Sequence, residues 1–213
     1  MNRWGFFPSV SGAWKINEEA FMRDLDWVGT TKLRLSWGQA GNDRIGTAQF
    51  LSNMSTLNYP VGESQALNSG YVVGNIANNM LGWETTTSYN VGVDFGLFNN
   101  RIYLSADYYK KTTKDLLLKA PVSLITGFAN MMDNVGNVDN WGLEFELNTA
   151  NITTNTFRWN SSLNISLNRN KITSLGDDNS DIRSGQGNTI IQRVGNPINS
   201  YMLLRVDRTL KSC

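Results

Sequence analysis

The stretch TSYNVGVDFGLFNNRIYLSADYY (Thr87–Tyr109) decides the fold. In its first half Tyr89, Val91, Val93, Phe95 and Leu97 alternate with Ser88, Asn90, Gly92, Asp94 and Gly96. Side chains on a strand point alternately to opposite faces, so one face is wholly apolar and the other polar or empty. Asn99–Asn100 then reverses the chain, and Ile102, Leu104, Ala106 and Tyr108 repeat the apolar series against Tyr103, Ser105, Asp107 and Tyr109. A sheet with hydrocarbon on one side and water on the other needs this pattern in segments of about ten residues. The reading is all-β: a transmembrane antiparallel β-barrel.

Outward from this hairpin the same rhythm recurs. Trp4–Ile16 and Gly29–Gln39 precede it; Trp141–Ala150 and Phe157–Asn168 follow it. One more strand is expected around Thr189–Val206, giving a partial barrel of about six to seven strands. Connections alternate short and long. Those at 17–27, 98–100 and 151–156 are expected on the periplasmic side, and the long polar stretches 40–84, 111–139 and 170 onward outside the cell. Trp37, Trp83, Tyr89, Tyr108 and Trp141 collect towards the long loops. Trp14, Trp27, Phe95, Phe98, Phe157 and Trp159 collect towards the short turns, as expected of two membrane interfaces. A soluble two-layer sandwich also alternates, but several spacings here exceed the roughly 8–12 residues usual for one.

Composition bounds the function. The chain has 213 residues, 40% of them hydrophobic, and no run near the roughly 18 apolar residues of a membrane helix. A net charge of +1 gives no sign of a nucleic-acid partner. Histidine is absent, which removes Ser-His-Asp and Cys-His catalysis and histidine-based metal sites. No phosphate-binding glycine loop occurs, and no cofactor is expected. The lone Cys213 forms no internal disulfide. Met1–Val10 carries no leader pattern, so the chain is expected to be a piece of a larger membrane protein.

Candidate chemistry is sparse. Glu144 and Glu146 share the polar face of one strand about 7 Å apart, a spacing compatible with glycosidase carboxylates. The favoured reading is lumen-facing charge, paired across strands with residues such as Arg158. Asp94 and Asp107 fall on the polar faces of adjacent strands at similar heights and need an intervening cation, lysine or arginine. Asp177, Asp178 and Asp181 could hold a hard cation, with a solvated acidic loop as the default. Tyr59, Tyr71 and Phe128 are loop aromatics suited to sugar stacking or to a lid protein. No catalytic, cofactor or metal residue is assigned, and the binding residues stay unknown.

Several stretches resemble the SusC/RagA family of TonB-linked outer-membrane proteins. They are RWGFFPSVSGAWKINEEAF (Arg3–Phe21), KLRLSWGQAGN (Lys32–Asn42), WETTTSYNVGVDFGLFNNRIYLSADYYKKTTKDLL (Trp83–Leu117), GFANMMDNVGNVDNWGLEFEL (Gly127–Leu147) and FRWNSSLNISLNRNKI (Phe157–Ile172). The likeness fades after Tyr201. It implies that 1–213 is a fragment of a TonB-dependent receptor β-barrel domain, with the N-terminal plug absent here. It further implies a non-enzymatic importer in the outer membrane of a Bacteroidota-like cell. The partners implied are a SusD-like surface lipoprotein, TonB acting through the plug, outer-membrane lipid, and an oligosaccharide or oligopeptide substrate. Two other classes stay open on the residues alone: a passive or structural barrel, and a soluble secreted β-sandwich binding module.

Overall fold

The computed structural model describes residues 4–22, 24–43, 51–62, 66–176 and 178–203. Cys213 and Asp177 lie outside the described residues, as do residues 204–206 of the last expected strand. The strands in chain order are β1 (Ser9–Lys15), β2 (Val28–Asn42), β3 (Met54–Val61), β4 (Ala66–Val73) and β5 (Glu84–Leu97). There follow β6 (Ile102–Pro121), β7 (Asn130–Thr153), β8 (Arg158–Leu175), β9 (Ile182–Ser184), β10 (Ile190–Gln192) and β11 (Ser200–Tyr201). Six of them form one antiparallel sheet in the order β1-β2-β5-β6-β7-β8. β3 and β4 pair as a separate hairpin, and β9, β10 and β11 form a small sheet of their own. Among the described residues the main sheet does not close on itself.

The register converts sequence alternation into two faces. Trp14, Leu33, Val93, Ala106, Phe145 and Ile165 lie in one row across all six strands. The next same-face row is Gly12, Leu35, Val91, Tyr108, Leu143 and Leu167. These side chains have no protein over them: Leu167 is 60% exposed and Ile165 51%. A sheet leaves such a face bare only where a non-aqueous partner covers it. The alternate rows carry Arg34, Gly92, Asp107, Glu144 and Ser166, and then Lys32, Asp94, Ser105, Glu146 and Asn164.

Each short turn is built by its sequence. Phe98, Asn99 and Asn100 all hold positive φ (52°, 57° and 60°), a conformation asparagine tolerates better than most residues. The Asn100 Oδ1 accepts Thr30 N–H at 3.0 Å while its Nδ2 donates to Thr30 Oγ1 at 3.1 Å, tying the turn to β2.

Four expectations need correction. The first strand was expected over Trp4–Ile16, but pairing begins at Ser9 and Ile16 opens a 3-10 turn. Proline at position 8 has no N–H to donate, although its carbonyl accepts Gln39 N–H at 2.9 Å. Phe7 instead packs beside Trp83 (ring centroids 5.7 Å apart), over Gly41, where a Cβ would overlap its ring. Secondly, Lys111–Asp139 is mostly strand: β6 and β7 continue to Pro121 and from Asn130, leaving only 122–129 as loop. Alternation against hydrocarbon stops near Lys110, so the continuation has no lipid-period signature. Thirdly, the polar stretch 40–84 contains the β3–β4 hairpin. Finally, β8 runs on to Leu175, and the strand expected around Thr189–Val206 is replaced by the short β10 and β11.

The extensions pack by switching face. At Asp115 (φ +59°) β6 bulges, so that Leu116 pairs with Gly136 on the face that Thr113 shares with Val138. Around that bulge the inner face turns apolar. Val138, Ile172 and Leu175 are almost fully buried there, covered by Leu116, Leu118, Ile182, Val194 and Ile198. The segment after β8 therefore folds onto the inner face at the long-loop end.

Candidate functional site

The polar face of the sheet is the candidate site, and its best-defined feature is an arginine spanning three strands. Arg34 Nε donates to Asp94 Oδ2 at 3.0 Å and its Nη2 to Asp94 Oδ1 at 2.9 Å, a two-pronged pair. The same Nη2 reaches Asp107 Oδ2 at 2.8 Å and Ser105 Oγ at 3.1 Å. Ser105 Oγ in turn donates to Asp94 Oδ1 at 2.9 Å. The guanidinium can lie across β5 because Gly92 sits between Arg34 and Asp107 in the register; a Cβ there would overlap the Asp107 carboxylate and meet Arg34 Cζ at 2.8 Å. The two aspartates thus share a cation, as their spacing demanded, and that cation is a side chain. Arg34 was visible on the polar face of β2, but only the register shows that it reaches both.

The Glu144–Glu146 pair faces a shallow depression lined also by Ser105, Asp107, Asn164 and Ser166. Asn148 Nδ2 donates to Glu146 Oε1 at 2.7 Å. Arg158 is not their cross-strand neighbour: it pairs with Thr153 at the short-turn end, whereas Glu144 and Glu146 face Ser166 and Asn164. Pairing outward from the turn at 154–157 keeps Arg158 level with Thr153, several residues along β7 from either glutamate. Higher on this face Tyr109 lies over Gly142, where a Cβ would meet its Cζ and hydroxyl at 2.7 Å, and Lys111 Nζ stands 5.2 Å from the Tyr109 ring.

At the long-loop end two segments are fastened to the extensions. Asn78 Nδ2 donates to Met132 O at 3.0 Å and Asp133 Oδ1 at 3.1 Å. Asn134 accepts Gly82 N–H at 2.8 Å and donates to Gly82 O at 3.2 Å and Asp115 O at 2.7 Å. Leu81, 1% exposed, is buried between these anchors along the chain. Beyond β8, Asn170 Oδ1 accepts Ile198 N–H at 2.8 Å, and a cleft of about 540 Å³ lies between the β6–β7 tips and β9.

The acidic loop does not gather. Asp178 bonds Ser180 within its own turn, and Asp181 takes Arg193 Nε at 2.9 Å. The Arg193 hydrogen bond holds the Asp181 carboxyl below its ordinary range, and the Ser180 bonds do the same for Asp178. Among the described residues no three such side chains converge to hold a metal ion. Tyr59 and Tyr71 lie on the β3–β4 hairpin, exposed by 48% and 70% on its opposite faces, and Phe128 lies in the 122–129 loop. The buried inner cluster at Val138, Ile172 and Leu175 escaped the sequence reading. The signal was present in Val138 and Ile172, apolar residues on the parity that carries Glu144, Glu146, Asn164 and Ser166.

Comparison with known proteins agrees with this geometry. The family model described as TonB dependent receptor-like, beta-barrel matches residues 1–203. TonB-dependent receptor P3 of Formosa agariphila is 37% identical over 206 residues, covering 94% of this chain and 20% of that protein. TonB-dependent receptor SusC of Bacteroides thetaiotaomicron is 38% identical over 216 residues, covering 94% of this chain and 21% of the relative. The solved RagAB peptide transporter superposes with a TM-score of 0.79 at 29% identity, over 92% of this chain and 21% of that one. The chain spans about a fifth of the length of the relatives it matches.

Proposed function

The chain belongs to the TonB-dependent receptor-like β-barrel family, and from that premise we propose that residues 1–213 form part of the wall of an outer-membrane importer. The observation that carries the reading is the two-faced six-stranded sheet, bare and apolar on one side, hydrogen-bonded and charged on the other. Set in a closed barrel, the apolar rows meet lipid and the Arg34–Asp94–Asp107 face lines the lumen. The short turns at 98–101 and 154–157 then lie in the periplasm. The β6–β7 extension, the β3–β4 hairpin and the 176–201 segment stand outside the cell.

The wall holds and shapes the pathway and catalyses nothing. The cargo is an oligosaccharide or oligopeptide; the likeness to a RagAB peptide transporter supports the second. A SusD-like lipoprotein caps the mouth, seated on the rim made by the β3–β4 hairpin and the β6–β7 tip. TonB acts through the plug, and ligand and TonB each bias the populations of its states.

The test is uptake by cells expressing the full-length protein. Entry of a labelled oligopeptide or oligosaccharide should depend on TonB and stop when the inner-membrane proton gradient is collapsed. Entry that continues unchanged without TonB would replace the importer with a passive pore. Removal of residues 55–72 should abolish co-purification of the lipoprotein; retention of the complex would take the hairpin out of the rim.

A further inference from the structure

The apolar face ends abruptly at its long-loop edge. On β8 the outward series runs Trp159, Ser161, Leu163, Ile165, Leu167 and then Arg169 and Lys171, and on β6 it runs Leu104, Ala106, Tyr108 and then Lys110. From Trp159 to Leu167 the outward side chains cover about 27 Å of strand, or about 21 Å once tilted, close to the apolar height of a membrane barrel. Lys110, Trp141 and Arg169 share one register row, with Tyr89 and Trp37 on its other side; Thr112, Asp139 and Lys171 make the next. Lys110 and Arg169 therefore stand within a row of tryptophan and tyrosine, with Lys171 directly above it, at the depth where lipid headgroups begin.

All three bases are exposed. Asp139 is engaged within the patch, taking Thr112 Oγ1 at 2.7 Å and Lys110 Nζ at 3.6 Å. Among the described residues Arg169 and Lys171 form no ion pair. Alternation places these two about 7 Å apart on one face, with Lys110 two strands away at about 10 Å. Three bases against one acid leave excess positive charge facing the bilayer edge, and an arginine fork beside lysines suits a phosphate.

We propose that Lys110, Arg169 and Lys171 bind the phosphate of an anionic lipid headgroup in the outer leaflet, fixing the depth of the barrel beneath the β6–β7 extension. The proposal rests on the outer-membrane reading, and the occupant is a lipid because the patch continues the lipid-facing band without a break.

The full-length protein is reconstituted in nanodiscs of phosphatidylcholine doped with a phosphomonoester-bearing glycolipid, and retained lipid is counted by native mass spectrometry. The wild type should retain the phosphorylated lipid over its dephosphorylated form. Lys110→Gln/Arg169→Gln/Lys171→Gln should lose about a hundredfold of that preference, at about fivefold per base removed. Lys15→Gln, at the opposite end of the sheet, should lose none. Equal retention of both lipids by the inserted wild type, or an undiminished preference in the triple variant, overturns the proposal. Should the triple variant not insert, Lys171→Gln alone must lower the preference, and an unchanged value overturns the proposal equally. Displacement by inorganic phosphate at concentrations matching the lipid overturns the lipid as the source. Failure of the wild type to enter any bilayer instead removes the outer-membrane reading.

Discussion

A single guanidinium decides how three strands of the inner wall meet. Asp94 is almost fully buried and Asp107 stands close beside it, so removing Arg34 leaves two carboxylates repelling each other with little water between them. The arginine side chain is itself about a third exposed, which moderates the loss to about 1–3 kcal/mol, below the cost of breaking a fully buried pair. Arg34→Gln in the full-length protein should therefore lower the midpoint of heat-induced mobility change on gels, with Arg34→Gln/Asp94→Asn recovering part of the drop. Gly92→Ala should produce a similar loss by a different route, because its methyl would occupy the space of the Asp107 carboxylate and the guanidinium carbon. If that is its cause, the Gly92→Ala penalty should largely vanish in an Arg34→Ala background. Equal penalties in both backgrounds would show that backbone geometry, and not the arginine, demands glycine there.

At the level of elements, what the sequence revealed tracks what covers each face. Strands bounded by lipid and water on opposite sides carried a clean period of two, which is why β2, β5, and the lower halves of β6, β7 and β8 were placed within a few residues. The upper halves of β6 and β7 have protein on their inner face and polar solvent outside, and a bulge at Asp115 inverts their parity, so the same test read them as loop. The β3–β4 hairpin was hidden for a related reason: Leu57 and Tyr59 of β3 occupy one face and Leu67 and Tyr71 of β4 the other, so no single apolar face runs across the pair. The fastening of these elements is testable. Asn134→Ala removes both partners of Gly82 and one of Asp115, and should expose residues 76–82 to protease in intact cells several-fold faster than in wild type. The 176–201 segment has a pH signature of opposite origin. Hydrogen bonding from Arg193 depresses the folded Asp181 value below 3.8, so its contribution is fully present above that value and is lost as pH falls through the depressed one. A spin label at Ser184 should keep the same mobility between about pH 7 and pH 5 and become more mobile below about pH 3.8, with Asp181→Asn flattening the response. A label whose mobility changes near neutrality would mean that this ion pair is not what holds the segment.

For the molecule as a whole, the two edges of the sheet carry the argument. Among the described residues β1 pairs within the main sheet with β2 alone and β8 with β7 alone. Gly195 and Asn196 bond the β8 edge at Ile172, and the rest of either edge presents backbone donors and acceptors with no strand beside them. In hydrocarbon every such group costs several kcal/mol, and only closure of the barrel removes the edges. The apolar rows compound this. Outward residues such as Val91, Phe145 and Leu167 have no protein neighbour to bury them, and the described chain holds its small inner core only at the long-loop end. Outside its barrel, then, the described residues have neither a closed hydrogen-bond network nor a core large enough to replace one. Refolded alone in detergent it should aggregate through β1 and β8 and yield no heat-modifiable monomer. In the intact protein, labels at Val91, Leu104, Phe145 and Ile165 should contact lipid-soluble quenchers, while labels at Asn90 and Glu144 contact water-soluble ones. A stable sheet-rich monomer of the isolated chain would mean that the strands satisfy their own edges. Reversed quencher access would mean that the sheet faces the opposite way, and the charged cluster around Arg34 would then have to survive in lipid, where its desolvation is far more costly.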